Sequence, residues 1–158
     1  MEEKKRVGAA VGVILEKDGT PSHKAPEGQR KILLGIVEVN QISKLVDLIM
    51  QKDAKEPLLY IHSMIDLGVD LQEFAKTLVF YLRQCLLLKI NPVFLNPQNS
   101  GFSDEEIEKM KSQTEKLTEK DIQKMLELFI EAENKMKYAT ILQLPLELAI
   151  VELTYHET

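Results

Sequence analysis

Apolar residues recur at three- and four-residue spacing through most of the chain after residue 31. In the first such segment the apolar positions are Ile42, Leu45, Val46, Ile49 and Met50. This spacing places them on one face of an α-helix, because each turn of the helix takes 3.6 residues. The pattern therefore predicts an amphipathic helix that ends near Asp53.

Glycine, proline and capping residues divide the next part of the chain into two more helices. The second helix is predicted to begin near residues 54–55 and to end at Gly68, a residue type that favours the left-handed position just past a helix end. Asp70 then supplies a carboxylate that accepts hydrogen bonds from the free amides of a third helix, about residues 71–90. Pro92 ends that helix, and a loop rich in Asn, Pro and Gly follows.

Three further helices are predicted in the second half of the chain. Ser103 with Glu106, and Thr118 with Asp121, have the spacing of capping boxes at two helix starts. The apolar positions of the second of these helices are Ile122, Met125, Leu126, Phe129, Ile130 and Met136. The last helix covers about residues 145–155. The sequence thus predicts an all-α fold, a compact bundle of about six helices.

Residues 1–31 do not fit this helical pattern. Gly8, Gly12, Gly19, Pro21 and Pro26 interrupt any helical period. The run from Val7 to Leu15 has the composition of a strand, but a lone strand has no partner in a helical chain. We expect residues 1–31 to be a poorly structured, flexible leader and residues 32–158 to form the helical domain.

Composition and charge restrict the class of partner. The formal net charge of −5 disfavours direct binding to nucleic acid, since that affinity comes mainly from clustered Lys and Arg. The apolar run near the start is far shorter than the roughly 20 residues that a membrane span requires. The single cysteine, Cys85, lies among leucines and is expected to be a buried small hydrophobic residue. We expect a cytoplasmic protein that has no membrane partner.

The sequence shows no constellation of residues that would carry out catalysis. The glycines at positions 8 and 12 are not followed by the lysine and hydroxyl residue of a phosphate-binding loop. His23, His62 and His156 lie far apart and lack a second ligand at metal-binding spacing. We therefore predict no catalytic residue, no cofactor and no metal, and interpret His62 as a residue at the rim of the core or exposed to solvent.

Two segments carry more apolar residues than a single contact face needs. They are Leu78–Ile90 and Leu144–Leu153. Either both belong to the core, or a partner covers part of their surface, as exposed apolar patches usually indicate. On the second reading, the candidate interface residues on the last helix are Leu144, Leu148, Val151 and Tyr155. Within these segments Arg83 and Glu147 are candidates for a structural ion pair, because buried charges are normally paired.

A set of short motifs, in this order along the chain, resembles a known family. They are Leu33–Glu38, Gly68–Phe74, Tyr81–Arg83, Leu86–Lys89, Ala132–Lys137 and Leu144–Ala149. Together they are similar to the C-terminal third domain of the bacterial DNA polymerase III gamma/tau subunit, over about residues 32–155. In that family the helical third domain is the collar piece of the clamp loader, where neighbouring collar domains pack side by side.

The resemblance implies an oligomerisation domain that supports DNA replication by binding other clamp-loader subunits. The family's ATPase core, with its phosphate loop and zinc-binding cysteines, has no counterpart in these residues. We therefore expect a truncated relative that is not an enzyme. The alternatives are a free-standing helical enzyme or ligand-binding bundle, with a pocket between helices, and a general protein-binding adaptor outside replication.

Overall fold

A computed structural model describes residues 37–155, apart from the side chain of residue 99. Six long helices and no strand occur in this range. The helices are α1 (Val39–Met50), α2 (Lys55–Asp66), α3 (Leu71–Ile90), α4 (Asp104–Glu115), α5 (Glu119–Met136) and α6 (Leu144–Tyr155). A 3-10 turn at Pro92–Phe94 and one helical turn at Pro97–Ser100 join α3 to α4. The predicted all-α bundle of six helices is confirmed, and the leader of residues 1–31 lies outside the described residues.

Local capping chemistry sets several of the helix ends. The Oδ1 atom of Asp70 accepts hydrogen bonds from the backbone N–H groups of Gln72 and Glu73, at 3.0 and 3.2 Å. The two predicted capping boxes, at the starts of α4 and α5, are both formed. Gly68, just after α2, has a φ of +83°, the left-handed conformation that favours glycine. The predicted starts of α3, α4 and α5 are therefore explained by the residues that satisfy their free amides.

One predicted boundary was displaced. The first helix ends at Met50, three residues before the predicted end near Asp53. Lys52 adopts a φ of +62°, and its backbone N–H donates to the carbonyl of Ile49 at 3.0 Å. A residue in the left-handed conformation ends an α-helix. Glycine at such a position is a recognisable signal of a helix end, whereas lysine is not.

The stabilising effect of a helix cap can be measured at Asp70, which caps α3. Asp70→Ala removes the acceptor from two backbone amides, and we expect the free energy of unfolding to fall by about 1 kcal/mol. Urea unfolding followed by circular dichroism measures the change. Asp70→Asn is the matched control, because its side-chain oxygen still caps the helix, and it should stay close to the wild type. Equal losses in both variants would show that the carboxylate's charge, and not its capping, matters.

Helices α3 and α5 form the most extensive contact between helices in the bundle, and α6 packs against α5 as well. Helix α3 also contacts α4 and α1. Helix α6 also contacts α1 and α2. The largest fully buried side chains are Tyr81, Phe74, Phe129, Ile42, Leu45, Ile61, Leu78, Leu82, Met110, Ile122, Met136 and Leu146.

The buried side of α3 is mostly apolar, as its sequence predicts. Cys85 is buried and forms no disulfide, and burial raises the pKa of its thiol to about 12. A thiol with such a pKa stays protonated near neutral pH, so Cys85 acts as a packing residue, as predicted. Among the helices within residues 37–155, none combines the length and the hydropathy that crossing a membrane requires.

Candidate protein-binding surface

Helix α6 divides its apolar residues between the core and the surface. Leu146, Ile150 and Leu153 are buried in the core. The four candidate interface residues have a different orientation, and we call them the α6 face: Leu144, Leu148, Val151 and Tyr155. Leu148 and Tyr155 are 59% and 64% exposed, Leu144 is also exposed, and Val151 is partly buried. Their spacing of four, three and four residues places them on one side of the helix.

A groove between α5 and α6 adjoins this face. Its volume is about 580 Å³. The residues that line it are Leu128, Glu131, Ala132, Lys135, Pro145, Leu148, Ala149, Val151, Glu152 and Tyr155. Three of the four candidate residues line this groove, and Leu144 is exposed one turn before Leu148. The structure therefore brings the α6 face together with a concave, mostly apolar surface.

The rim of the groove carries charged groups. Lys135 Nζ lies 2.9 Å from Glu131 Oε2, an exposed ion pair on α5. Glu152 is exposed on α6 and adds a further carboxylate. An apolar floor with a charged rim is the usual composition of a surface at which two proteins meet.

The proposed ion pair between Arg83 and Glu147 is wrong. Glu147 Oε2 lies 2.9 Å from Nε2 of His62, on α2. Arg83 is exposed on α3, a helix that makes no extensive contact with α6. His62 is exposed, so the reading of this residue as a rim or surface residue is confirmed. The His62–Glu147 contact joins α2 to α6 at a surface position, where a single polar contact contributes little stability.

A second exposed apolar surface lies at the end of α3. Val93 and Phe94, in the 3-10 turn, are 75% and 55% exposed, and we call these two residues the knob. Phe80 and Ile90, on α3, are also exposed, and the Phe80 ring stacks on that of Phe102 with 5.7 Å between centroids. The apolar segment Leu78–Ile90 singled out in the sequence includes Phe80 and Ile90, but sequence reasoning missed the knob, because it treated residues 91–101 as a loop rich in Asn, Pro and Gly. The signal present was the apolar pair Val93–Phe94 between two Asn-Pro dipeptides.

A buried polar cluster joins α1, α3 and α4. The Tyr81 hydroxyl donates to Oε1 of Gln113, a residue that is 2% exposed. Gln113 Nε2 in turn donates to the Ser43 carbonyl at 2.9 Å and to Asp47 Oδ1 at 2.8 Å. Burial, the Cys85 thiol and the carboxyl of Asp47 raise the pKa of Tyr81, so its hydroxyl remains a donor. The cluster holds helices together: Tyr81, Gln113 and Ser43 are buried, and Asp47 lies at its solvent edge.

A smaller cavity of about 350 Å³ lies between the ends of α1, α4 and α5. Lys52, Lys116 and Lys124 line it together with Asp121 and apolar residues. Lys52 and Lys116 follow the carboxyl ends of α1 and α4, where cations complement the free carbonyl groups. Hydrogen bonding to the Thr118 backbone and the nearby Lys52 charge lower the pKa of Asp121. Lys52, Lys116 and Asp121 therefore lie where their charges complement the free backbone groups of helix ends.

Candidate metal ligands do not cluster in the part of the chain that the structure describes. Within residues 37–155 no group of three or more His, Cys, Asp or Glu side chains is arranged to hold a metal ion.

Comparison with known proteins gives a match to one family model. The model is described as DNA polymerase III subunits gamma and tau domain III, and it matches residues 27–158. The matched range is more than four fifths of the chain and contains all six helices. The comparison with curated proteins gave no match.

Proposed function

We propose that this chain, which belongs to the DNA polymerase III subunits gamma and tau domain III family, is a protein–protein assembly domain of a clamp loader. Membership makes it a DNA polymerase III subunit domain; the assembly role is the proposal. The observation that carries it is the α6 face, a row of apolar side chains on the surface of a helix whose other side is buried in the core. The proposed partners are the corresponding domains of other clamp-loader subunits.

Binding at the α6 face would be stabilised by the removal of apolar surface from water. Leu148 and Tyr155 each leave more than half of their surface in contact with solvent. Removing apolar surface from water contributes about 25 cal/mol per Å², so a partner that covers the α6 face and the adjoining groove gains from each of these side chains. Exposed apolar patches on a folded domain, rimmed by charged residues, mark interaction sites.

The test is a charge placed in the middle of the α6 face. Leu148→Glu exchanges an exposed leucine for a carboxylate, so the isolated domain should fold with unchanged helicity by circular dichroism. In a contact that excludes water the same carboxylate is unpaired, and we expect binding to weaken by about 3–5 kcal/mol. Light scattering and sedimentation velocity measure the assembly of each variant, alone and mixed with the other clamp-loader subunits.

Leu59→Glu is the matched control. Leu59 is 55% exposed on α2, nearly the same as Leu148, so it receives the same charge at a comparable exposure. Assembly lost in Leu148→Glu but retained in Leu59→Glu supports the proposal. Val151→Glu is a second variant on the same face and should behave like Leu148→Glu. Assembly unchanged in both α6 variants would remove the α6 face from the interface.

A further inference from the structure

The cavity between the ends of α1, α4 and α5 has an apolar floor. Ile49, Met125 and Leu153, from three different helices, line it with buried side chains, and Met50 and Leu117 line it with partly buried ones. Its volume of about 350 Å³ lies at the lower end of the range of ligand pockets, about 300–1,000 Å³. Because methionine side chains are flexible, such a floor adapts to apolar groups of different shape.

Three lysines line the same cavity, which we call the lysine cavity. They are Lys52, Lys116 and Lys124, and all three are exposed. Among the described lining residues the carboxylate is that of Asp121, whose Oδ2 atom accepts a hydrogen bond from the Thr118 backbone N–H at 2.9 Å. The lysines outnumber this carboxylate, so the cavity is positively charged in a chain whose formal net charge is −5. A local positive potential beside apolar surface attracts an acidic partner.

The domain itself makes incomplete use of these charges. Within residues 37–155 the lysines that form ion pairs are Lys76, Lys109, Lys111 and Lys135. The helix ends account for Lys52 and Lys116, which follow the carboxyl ends of α1 and α4. Lys124 is in the second turn of α5, and the nearest helix end is an amino end, where the helix dipole favours anions. A bound anion would supply the counter-charge that Lys124 lacks among the described residues.

The backbone of Lys52 is a second unusual feature at this cavity. Among the described residues it is the only one other than glycine with a positive φ, +62°. This left-handed conformation is disfavoured for residues that bear a Cβ atom, and glycine adopts it freely. Residues held in such conformations cluster at binding and catalytic sites. Since a glycine would end α1 with less strain, we attribute the lysine at this position to its charge.

The number of cations favours an acidic peptide as the occupant. A small ligand with one carboxylate would pair with one lysine and leave the others unpaired. A peptide supplies several carboxylates along its length, and a bulky apolar side chain between them fills the apolar floor. Single-stranded nucleic acid also carries several negative charges, but sites that bind it stack the bases on aromatic side chains. None of the described lining residues of the lysine cavity is aromatic.

We propose that the lysine cavity binds an acidic segment of another protein. A bulky apolar side chain of that segment enters the cavity, and the carboxylates on either side of it pair with Lys52, Lys116 and Lys124. The lysine cavity and the groove beside the α6 face have no described lining residue in common. The proposal therefore goes beyond the proposed function and stands or falls independently of it.

A fluorescein-labelled peptide of sequence Glu-Asp-Asp-Leu-Phe-Asp-Asp-Glu tests the site on the full chain. Fluorescence anisotropy should show saturable binding with a Kd of about 10–100 µM at low salt, and binding should weaken as salt screens the charges. Two control peptides carry Ser-Ser in place of Leu-Phe, or Asn and Gln in place of the acids. Each should bind about tenfold more weakly. No binding up to about 1 mM, or equal binding of either control peptide, would overturn the proposal.

Methionine methyl groups locate the bound peptide. In the chain labelled with ¹³C at these methyl groups, the signals of Met50 and Met125 should shift during the titration. Met64 and Met136 are buried and do not line the cavity, so their signals should stay in place. Met50→Leu and Met125→Leu, which nearly preserve side-chain volume, assign the signals. Binding that shifts neither Met50 nor Met125 occurs elsewhere and contradicts the proposal, as does displacement of the peptide by an equally charged oligodeoxythymidylate at lower concentration.

Charge variants test the role of the lysines. Lys124→Glu should weaken peptide binding about tenfold. Lys52→Gly should weaken it about threefold while the urea midpoint of unfolding stays the same or rises, because glycine relieves the left-handed backbone. Lys137→Glu is the matched control for Lys124→Glu: it makes the same charge change at an exposed lysine at the other end of α5, and should bind like the wild type. Equal weakening at positions 124 and 137 would show that the peptide responds only to net charge, and the site would be rejected.

Discussion

Replacing Phe129 with alanine is expected to remove much of the stability of the domain. Phe129 is fully buried on α5, the helix that packs against both α3 and α6. Truncation of a buried phenylalanine removes its transfer free energy and leaves a cavity, which together lower the free energy of unfolding by about 3–5 kcal/mol. A domain of this size is stable by only about 5–15 kcal/mol, so the variant is expected to unfold at much lower urea concentration.

The measurement is urea unfolding followed by circular dichroism at a helical wavelength, because the chain contains no tryptophan to report by fluorescence. Ile130→Ala is the matched control: it is the neighbouring residue, it is also a large apolar side chain, and it is exposed. We expect the control to lose less than about 1 kcal/mol. Similar losses at positions 129 and 130 would contradict the assignment of the buried face of α5.

Helix positions could be predicted because their signals are local. The carboxylate of Asp70 and the hydroxyls of Ser103 and Thr118 bond to amides only two or three residues away, so a short stretch of sequence contains both partners. The apolar spacing then identifies the buried side of each helix. The spacing is less reliable for single residues: Ile130 fits the predicted apolar stripe of α5 but lies at the surface.

Contacts between distant residues could not be predicted in the same way. The pairing of Glu147 with His62 joins positions 85 residues apart and depends on how α2 and α6 rotate about their axes. The sequence offered Arg83 as the partner because both residues interrupt apolar segments, but that pattern contains no information on which helices are neighbours. The buried cluster around Gln113 was missed for the same reason, since its partner Ser43 is 70 residues away.

The candidate surface was predictable in part. The excess of apolar residues in the last helix is visible in the sequence. It indicated that the helix carries more apolar surface than one contact with the core requires. Leu144 and Leu148 are indeed exposed, whereas Leu146 and Ile150 are buried. The knob was not predictable, because the exposure of Val93 and Phe94 follows from how a proline-bounded turn leaves the bundle, which the composition of that segment does not encode.

The second large effect on stability is expected at the buried polar cluster around Gln113. Gln113 accepts from the Tyr81 hydroxyl and donates to the Ser43 carbonyl and to Asp47, so it joins α4 to both α3 and α1. Gln113→Leu preserves the approximate volume but leaves the hydroxyl of Tyr81, a residue that is 1% exposed, without this acceptor. Loss of the hydrogen-bond partner of a buried polar group lowers the free energy of unfolding by about 1–3 kcal/mol. Here the Tyr81 hydroxyl and the Ser43 carbonyl both lose a partner. We expect a loss of about 2–4 kcal/mol in the free energy of unfolding.

Tyr81→Phe and the double variant Tyr81→Phe, Gln113→Leu provide the control, because they separate the hydrogen bond from packing. Tyr81→Phe alone leaves Oε1 of Gln113 without its donor, and should be destabilising by about 1–2 kcal/mol. When both partners are apolar, no hydroxyl remains to be satisfied at this position, so the double variant should be less destabilised than the sum of the single losses by about 1 kcal/mol or more. Urea unfolding of all four proteins gives this coupling energy. Strict additivity would show that the hydrogen bond between Tyr81 and Gln113 contributes nothing to stability, and that the two side chains act only through packing.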